Sequence, residues 1–220
     1  MTKPHHAACC AMLAALLAAC GSGPRVPDWQ LNAAGATERA TSAYLEGKSA
    51  VAEREFKLAR SQVGSTAKPE QAIRVELLRC AVQVAALAFE ECSGFAALQP
   101  DASAADEAYA RYLSGRASAA DAALLPEPQR AVAGAGDDRA AASAAAAIAD
   151  PLSRLVAAGA LLRANRATPE LLAMAADTAS SQGWRRAVLA WLQVQLQRAE
   201  QAGDSTEAAR LRRRITLASS

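Results

Sequence analysis

Histidine is nearly absent: His5 and His6 are the only two, and both fall within the first six residues. Everything downstream of them lacks the commonest zinc and copper ligand and the base used in Ser-His-Asp and Cys-His catalysis. After Lys3 the only lysines are Lys48, Lys57 and Lys68, and none sits in a recognisable nucleophile motif. Strand signals are missing as well. No stretch alternates apolar and β-branched residues, and alanine dominates, which predicts an all-α protein. Charge of one sign is not in excess, with 24 Lys and Arg against 22 Asp and Glu, so nucleic acid is not an expected partner. No run of the chain reaches the ~20 apolar residues that cross a bilayer. The longest alanine-rich stretch, 131–149, is interrupted by Asp137, Asp138 and Arg139.

What is present begins at the N-terminus. Lys3, His5 and His6 precede a short apolar run over 7–19, which ends in Leu17-Ala18-Ala19-Cys20. This resembles the signal peptide and lipobox of bacterial lipoprotein precursors. The resemblance implies that residues 1–19 are removed and that Cys20 becomes the lipidated first residue. Gly21 and Ser22 follow it, and by the same resemblance the lack of aspartate there implies the periplasmic face of the outer membrane. Acyl chains hold such a protein because each buried methylene contributes ~0.8 kcal/mol. Residues 20–32 read as lipidated cysteine and spacer, with GSGPRVP at their start, and 33–220 as a single all-α domain. Loss of the signal takes both histidines with it. Removing Lys3 leaves 23 basic side chains against 22 acidic ones.

Cys9 and Cys10 leave with the signal, so an exported chain keeps only Cys80 and Cys92 besides the acylated cysteine. An oxidising compartment favours a disulfide between them over two buried thiols. Twelve residues of unbroken helix would hold the pair ~18 Å apart. The pairing therefore requires the helix to end near Leu87 and the chain to turn back through Phe89-Glu90-Glu91. Two cysteines without histidine do not make a metal site, and no cofactor is implied.

Helix signals fill the remainder. Segments 37–46 and 49–63 flank Gly47, with Ser49 read as the second helix's N-cap. A long helix opens at Pro69. Ile73, Leu77, Cys80, Val84 and Leu87 mark one stripe along it, and Val75, Leu78, Val82 and Phe89 another, so it should be central. Helix 103–113 carries Tyr109, Tyr112 and Leu113. Segment 117–135 offers few large anchors and is expected to be a long loop or a mobile region. Helices follow over 137–149, after Asp150-Pro151, after Thr168-Pro169, over 184–202 and over 205–217.

Two turns echo each other: Gly47-Lys48-Ser49-Ala50-Val51-Ala52 and Gly203-Asp204-Ser205-Thr206-Glu207-Ala208. Both resemble the inter-helix turn of tetratricopeptide repeats. Phe56 and Ala59 fall where that family places an aromatic and a small residue, whereas Arg212 and Ile215 depart from the pattern in the second copy. No regular period fills the interval. The fold expectation is thus helical hairpins packed as a tetratricopeptide-like array or as an irregular helical bundle.

That resemblance, with the missing histidine, implies a non-catalytic interaction scaffold or an assembly and secretion accessory that binds an envelope protein or peptide. The contrasting readings are a histidine-independent enzyme acting on envelope glycans and a carrier of apolar ligands. Adjacent carboxylates such as Glu90 and Glu91, or Asp137 and Asp138, point about 100° apart on a helix and do not converge. Arg210, Arg213 and Arg214 form a basic edge that would meet anionic headgroups or an acidic partner, or would simply be a solvated face. Trp184 and Trp191, seven residues apart, would be core or an anchor for a peptide.

Overall fold

A computed structural model describes residues 26–219. The lipobox, Cys20 and the first part of the spacer lie outside the described residues. Among those described there are eleven α-helices, two 3-10 turns and no strand, so the fold is all-α.

Helix α1 (Asp28–Glu46) begins well before the expected residue 37 and absorbs the end of the assigned spacer. The continuing row of small residues explains the extension: Ala33, Ala36, Ala40 and Ala43 are all buried, and Trp29 leans on the core ahead of them. Alanine also has the highest intrinsic helix propensity. Opposite lies α2 (Ser49–Gly64), which buries Ala52, Phe56, Ala59 and Val63. Small side chains facing one another let the two axes approach closely. Gly47 closes α1 at φ +95°, with its N–H donating to the Tyr44 carbonyl and the Lys48 N–H to Ala43, a Schellman ending. Lys48, not Ser49, holds the N-cap position of α2; the Ser49 hydroxyl instead accepts from Arg186.

The helix opening at Pro69, α3 (Pro69–Ala85), packs against α1, α2 and three later helices, as its two apolar stripes require. Ile73 and Val82 are fully buried, each worth ~1.5–3 kcal/mol in area removed from water. It ends at Ala85. Leu87 then takes a left-handed conformation, φ +58°, at a cost of ~1–2 kcal/mol for a non-glycine residue. That reversal returns Cys92 to the flank of Cys80, and the two form a disulfide with Cα atoms 5.7 Å apart. A single helical turn, α4 (Ser93–Ala96), follows with Phe95 buried.

Residues 117–135 are not the long loop expected. After α5 (Ala104–Leu113), a 3-10 turn covers Ala119–Leu124 and α6 spans Glu127–Ala133. Polar pairs anchor this segment where apolar periodicity is lacking. Asp121 is 5% exposed and meets Arg111, while Gln129, 2% exposed, accepts from the Tyr112 hydroxyl at 2.7 Å and donates to the Ser153 carbonyl at 3.0 Å. Each polar atom is satisfied, which is what makes such burial tolerable.

Next come α7 (Asp138–Ala146) and α8 (Pro151–Arg163), the latter capped by Asp150 as its sequence predicts. Helix α8 is apolar nearly all round and lies against α3. A Cβ on Gly159 would sit 2.3 Å from the Val84 carbonyl oxygen, so only glycine permits this crossing. Thr168 caps α9 (Pro169–Ser181), again as expected. Helices α10 (Arg185–Gln201) and α11 (Ser205–Ser219) make the final hairpin around Gly203, whose φ is +72°. Helix α10 also packs back onto α1, with the Arg186 guanidinium 4.1 Å from the Tyr44 ring centroid. First and last hairpins therefore abut, which the first and last pairs of an open-ended superhelix do not do.

Candidate functional site

The C-terminal hairpin carries the residues singled out from sequence, and the structure separates them. Trp191 is completely buried, and its indole N–H donates to the Ala85 carbonyl at the end of α3, 3.0 Å away. It is a core residue that satisfies a carbonyl left open at a helix end. It cannot anchor a peptide, because nothing outside reaches it. Trp184 is half-buried at the N-cap of α10 and packs on the same core.

Helix α11 covers one side of α10 with Ala208 and Leu211 and leaves its other faces to solvent. Arg210 is folded onto Glu207 by two contacts of 2.6 Å, which hold the carboxyl below its ordinary range and the guanidinium above its own. Arg214 lies 3.4 Å from Asp177 of α9, and Arg212 pairs with Glu200 of α10. Arg213 is exposed and pairs with no carboxylate among the described residues. Of the three arginines of the expected edge, then, two are already engaged and one is free. Beside them runs an open groove of about 400 Å³ lined by Val188, Leu192, Arg185, Arg214 and Leu217. Leu217 is 78% exposed, the highest value among the large apolar side chains of the described residues.

A second concavity, about 310 Å³, sits beside the disulfide and contains Glu90, Glu91, Glu107, Arg111, Arg116 and Arg163. Sequence reasoning missed its arginines, which come from segments distant along the chain. Arg111 grips Asp121 with two hydrogen bonds, 2.6 and 3.3 Å, and approaches Glu107 at 3.7 Å. The Arg111 guanidinium, together with the Ser118 N–H and hydroxyl, holds the Asp121 carboxyl well below the usual carboxylate range. Arg163 stacks over Phe89 at 5.3 Å and donates to the Leu113 carbonyl at 3.3 Å. Burial, and then the nearby Arg116, pull its guanidinium below its ordinary value. Most of these charges brace the 86–92 turn and the Ala119–Leu124 turn against α5 and α8. Glu90 and Glu91 both line this cleft from the non-helical segment after α3, so the divergence expected of adjacent residues on a helix does not apply to them.

No group of three or more potential metal ligands converges among the described residues, and none of their helices is long and apolar enough to cross a membrane. No protein-family model matches this chain, and comparison with curated proteins and with solved structures found no match.

Proposed function

We propose that this protein is a lipid-anchored, non-catalytic interaction protein of the cell envelope, held through Cys20 at the periplasmic face of the outer membrane. The observation that carries the reading is the edge of the last hairpin, where exposed Leu217 lines an open groove together with Arg185 and Arg214, and Arg213, which pairs with no carboxylate among the described residues, is exposed on the same helix. Exposed apolar surface rimmed by charge is typical of a surface that a second protein covers. The positive rim favours an acidic partner. An envelope location agrees with the lipobox sequence and with the disulfide between Cys80 and Cys92. The scaffold or assembly-accessory role suggested by the tetratricopeptide-like turns is kept as a role in binding. It needs no concave superhelix.

The test replaces Arg213 with a photo-crosslinking amino acid in the intact envelope and identifies what is captured. A discrete envelope protein is expected, with recovery reduced when Arg210 and Arg214 are also changed to glutamine in the crosslinking variant. Cys20→Ala should leave uncleaved, non-lipidated precursor that fails to fractionate with the outer membrane. A hydrolytic activity on envelope glycans, abolished by one Asp or Glu substitution in a folded protein, would overturn the non-catalytic reading.

A further inference from the structure

A third groove, on the opposite half of the chain from the C-terminal edge, lies between α3, α5 and the segment that leads into α6. Its volume is about 410 Å³, and its walls include Leu77, Leu78, Tyr109, Leu124, Leu125 and Pro126. Leu124 is 43% exposed, so the apolar surface continues outward to solvent. One exposed leucine means little by itself. Here it stands beside two guanidiniums. Arg74 is exposed and has neither ion pair nor hydrogen bond among the described residues. Arg130 uses Nε on the Leu125 carbonyl, 2.9 Å away, and no carboxylate pairs with its terminal nitrogens.

Among the described residues of the lining the one carboxylate is Asp106, whose charge stands against the two guanidiniums of Arg74 and Arg130 and leaves the lining net positive by one. Asp106 closes the capping box of α5 by accepting from the Ser103 N–H at 3.0 Å and the Ser103 hydroxyl at 2.6 Å. The groove is therefore positive at its rim and apolar on its floor. Tyr109 adds a directional group. Its ring stacks on Tyr112 with centroids 6.3 Å apart, and its hydroxyl has no hydrogen-bond partner among the described residues. Burial pushes that phenol above its ordinary value, so it remains a proton donor through the physiological range.

We infer that this groove takes an acidic, leucine- or phenylalanine-bearing segment of a partner protein, with apolar side chains over Leu78, Tyr109 and Leu124 and a carboxylate between Arg74 and Arg130. The inference rests on the interaction reading above and gives it a chemistry and a second place on the surface. Guanidiniums suit carboxylates because their planar donor fork can engage both oxygens. The Tyr109 hydroxyl would donate to the same group. A free fatty acid fits less well, since small-ligand sites bury most of the ligand and this groove is open along Leu124.

The probe is a random short-peptide library displayed on phage and panned against the detergent-solubilised lipidated protein. Enriched peptides should combine at least one Asp or Glu with Leu or Phe. As fluorescein-labelled synthetic peptides they should lose about tenfold or more in affinity for the Arg74→Glu, Arg130→Glu double variant, in keeping with the usual cost of reversing charge at a contact. Tyr109→Phe should weaken them by roughly threefold, about half the worth of an ordinary hydrogen bond to a charged group. Changing the peptide's Glu to Lys should restore binding to the double variant. Arg74 makes no hydrogen bond among the described residues, so Arg74→Glu alone should unfold like wild type, while the double variant also loses the Arg130 bond to the Leu125 carbonyl and should unfold cooperatively with a midpoint lowered by no more than one hydrogen bond is worth. Equal binding to wild type and double variant, or enrichment of peptides without acidic residues, would overturn the groove. So would a library that yields no binder, or dodecanoate binding in place of any peptide. If the enriched peptides are lost with Arg213→Glu instead, this groove is wrong while the interaction reading stands. If crosslinking from Arg213 captures nothing but the peptides still depend on Arg74 and Arg130, the edge fails and the groove stands.

Discussion

The first and last hairpins begin from the same turn and end in different environments. Gly47 and Gly203 both close a helix in the left-handed region, and in each case the following two N–H contacts reach back to the same relative carbonyls. The small residue five positions on is buried in both, Ala52 at 1% and Ala208 at 2% exposure. Beyond it they diverge. Phe56 is buried because α3 covers the far side of α2, whereas Arg212, at the equivalent position, faces solvent and pairs with Glu200. Ala59 is fully buried where Ile215 is only half-buried. The turn specifies a hairpin, and what the next segment of chain covers decides which of its faces becomes core. By that measure α2 is an outer helix held between two neighbours and α11 is an edge with one.

The inner helices of the two hairpins are alike in being core, and the largest predicted effect tests this. Trp191→Ala removes the largest fully buried side chain and leaves the Ala85 carbonyl without its donor. It should cost about 4 kcal/mol and appear as a large fall in the denaturation midpoint. A variant of wild-type stability would mean that α10 is as peripheral as α11.

The outer helices should respond unequally. Phe56→Ala is expected to destabilise by about 3 kcal/mol, and Arg212→Ala by less than about 0.5 kcal/mol, measured by urea unfolding of both variants. Equal effects would erase the distinction between the held helix and the edge. Between the two hairpins lies the disulfide, which closes a loop of the size for which chain entropy gives at most about 3 kcal/mol. Reduction should lower the midpoint by a corresponding amount, and both cysteines should resist alkylation in denaturant until a reductant is added.

Sequence was informative where one residue type decides local geometry. Pro151 with Asp150 and Pro169 with Thr168 mark helix starts because a side-chain oxygen must meet a free N–H there, and both caps form. The return of the chain toward Cys80 was legible because a disulfide cannot span a continuous helix. The onset of α1 was not. Its N-cap position is Pro27, which offers no side-chain cap, and only the alanine row extends the helix backward. Nor was the order of 117–135 legible, since Arg111 with Asp121 and Tyr112 with Gln129 leave no apolar period to read. The groove that joins Leu78, Tyr109 and Leu124 depends on three separate segments meeting, which spacing along the chain does not encode.

The polar anchors of the middle segment should respond to pH on both sides of neutrality. Arg111 and Ser118 depress the Asp121 carboxyl in the folded protein, so the contribution is full above the ordinary carboxylate range and is lost as pH falls through and below it. The alkaline arm has the opposite sign. Burial raises Tyr109 and Tyr112, so unfolded chains ionise near 10 while folded ones do not, and stability should fall as pH rises past about 10. Unfolding midpoints across pH, with phenolate absorbance followed in parallel, check both arms. Asp121→Asn should flatten the acid arm and leave the alkaline one unchanged.

The smallest effect belongs to the edge itself. Arg210 and Glu207 are partly exposed, and their pairing is open to screening by salt. Arg210→Gln should therefore change stability by less than about 0.5 kcal/mol at low salt and by nothing measurable at 1 M salt. The same substitution leaves Glu207 with Arg214, a residue of the groove, as its remaining nearby guanidinium, so the edge becomes less positive and capture of an acidic partner should fall more than stability does. Parallel unfolding and crosslinking measurements separate the two. If stability falls by more than about 1 kcal/mol, well beyond the range of an exposed pair, Arg210 is part of the hairpin's packing and α11 is less of an edge than its exposure indicates.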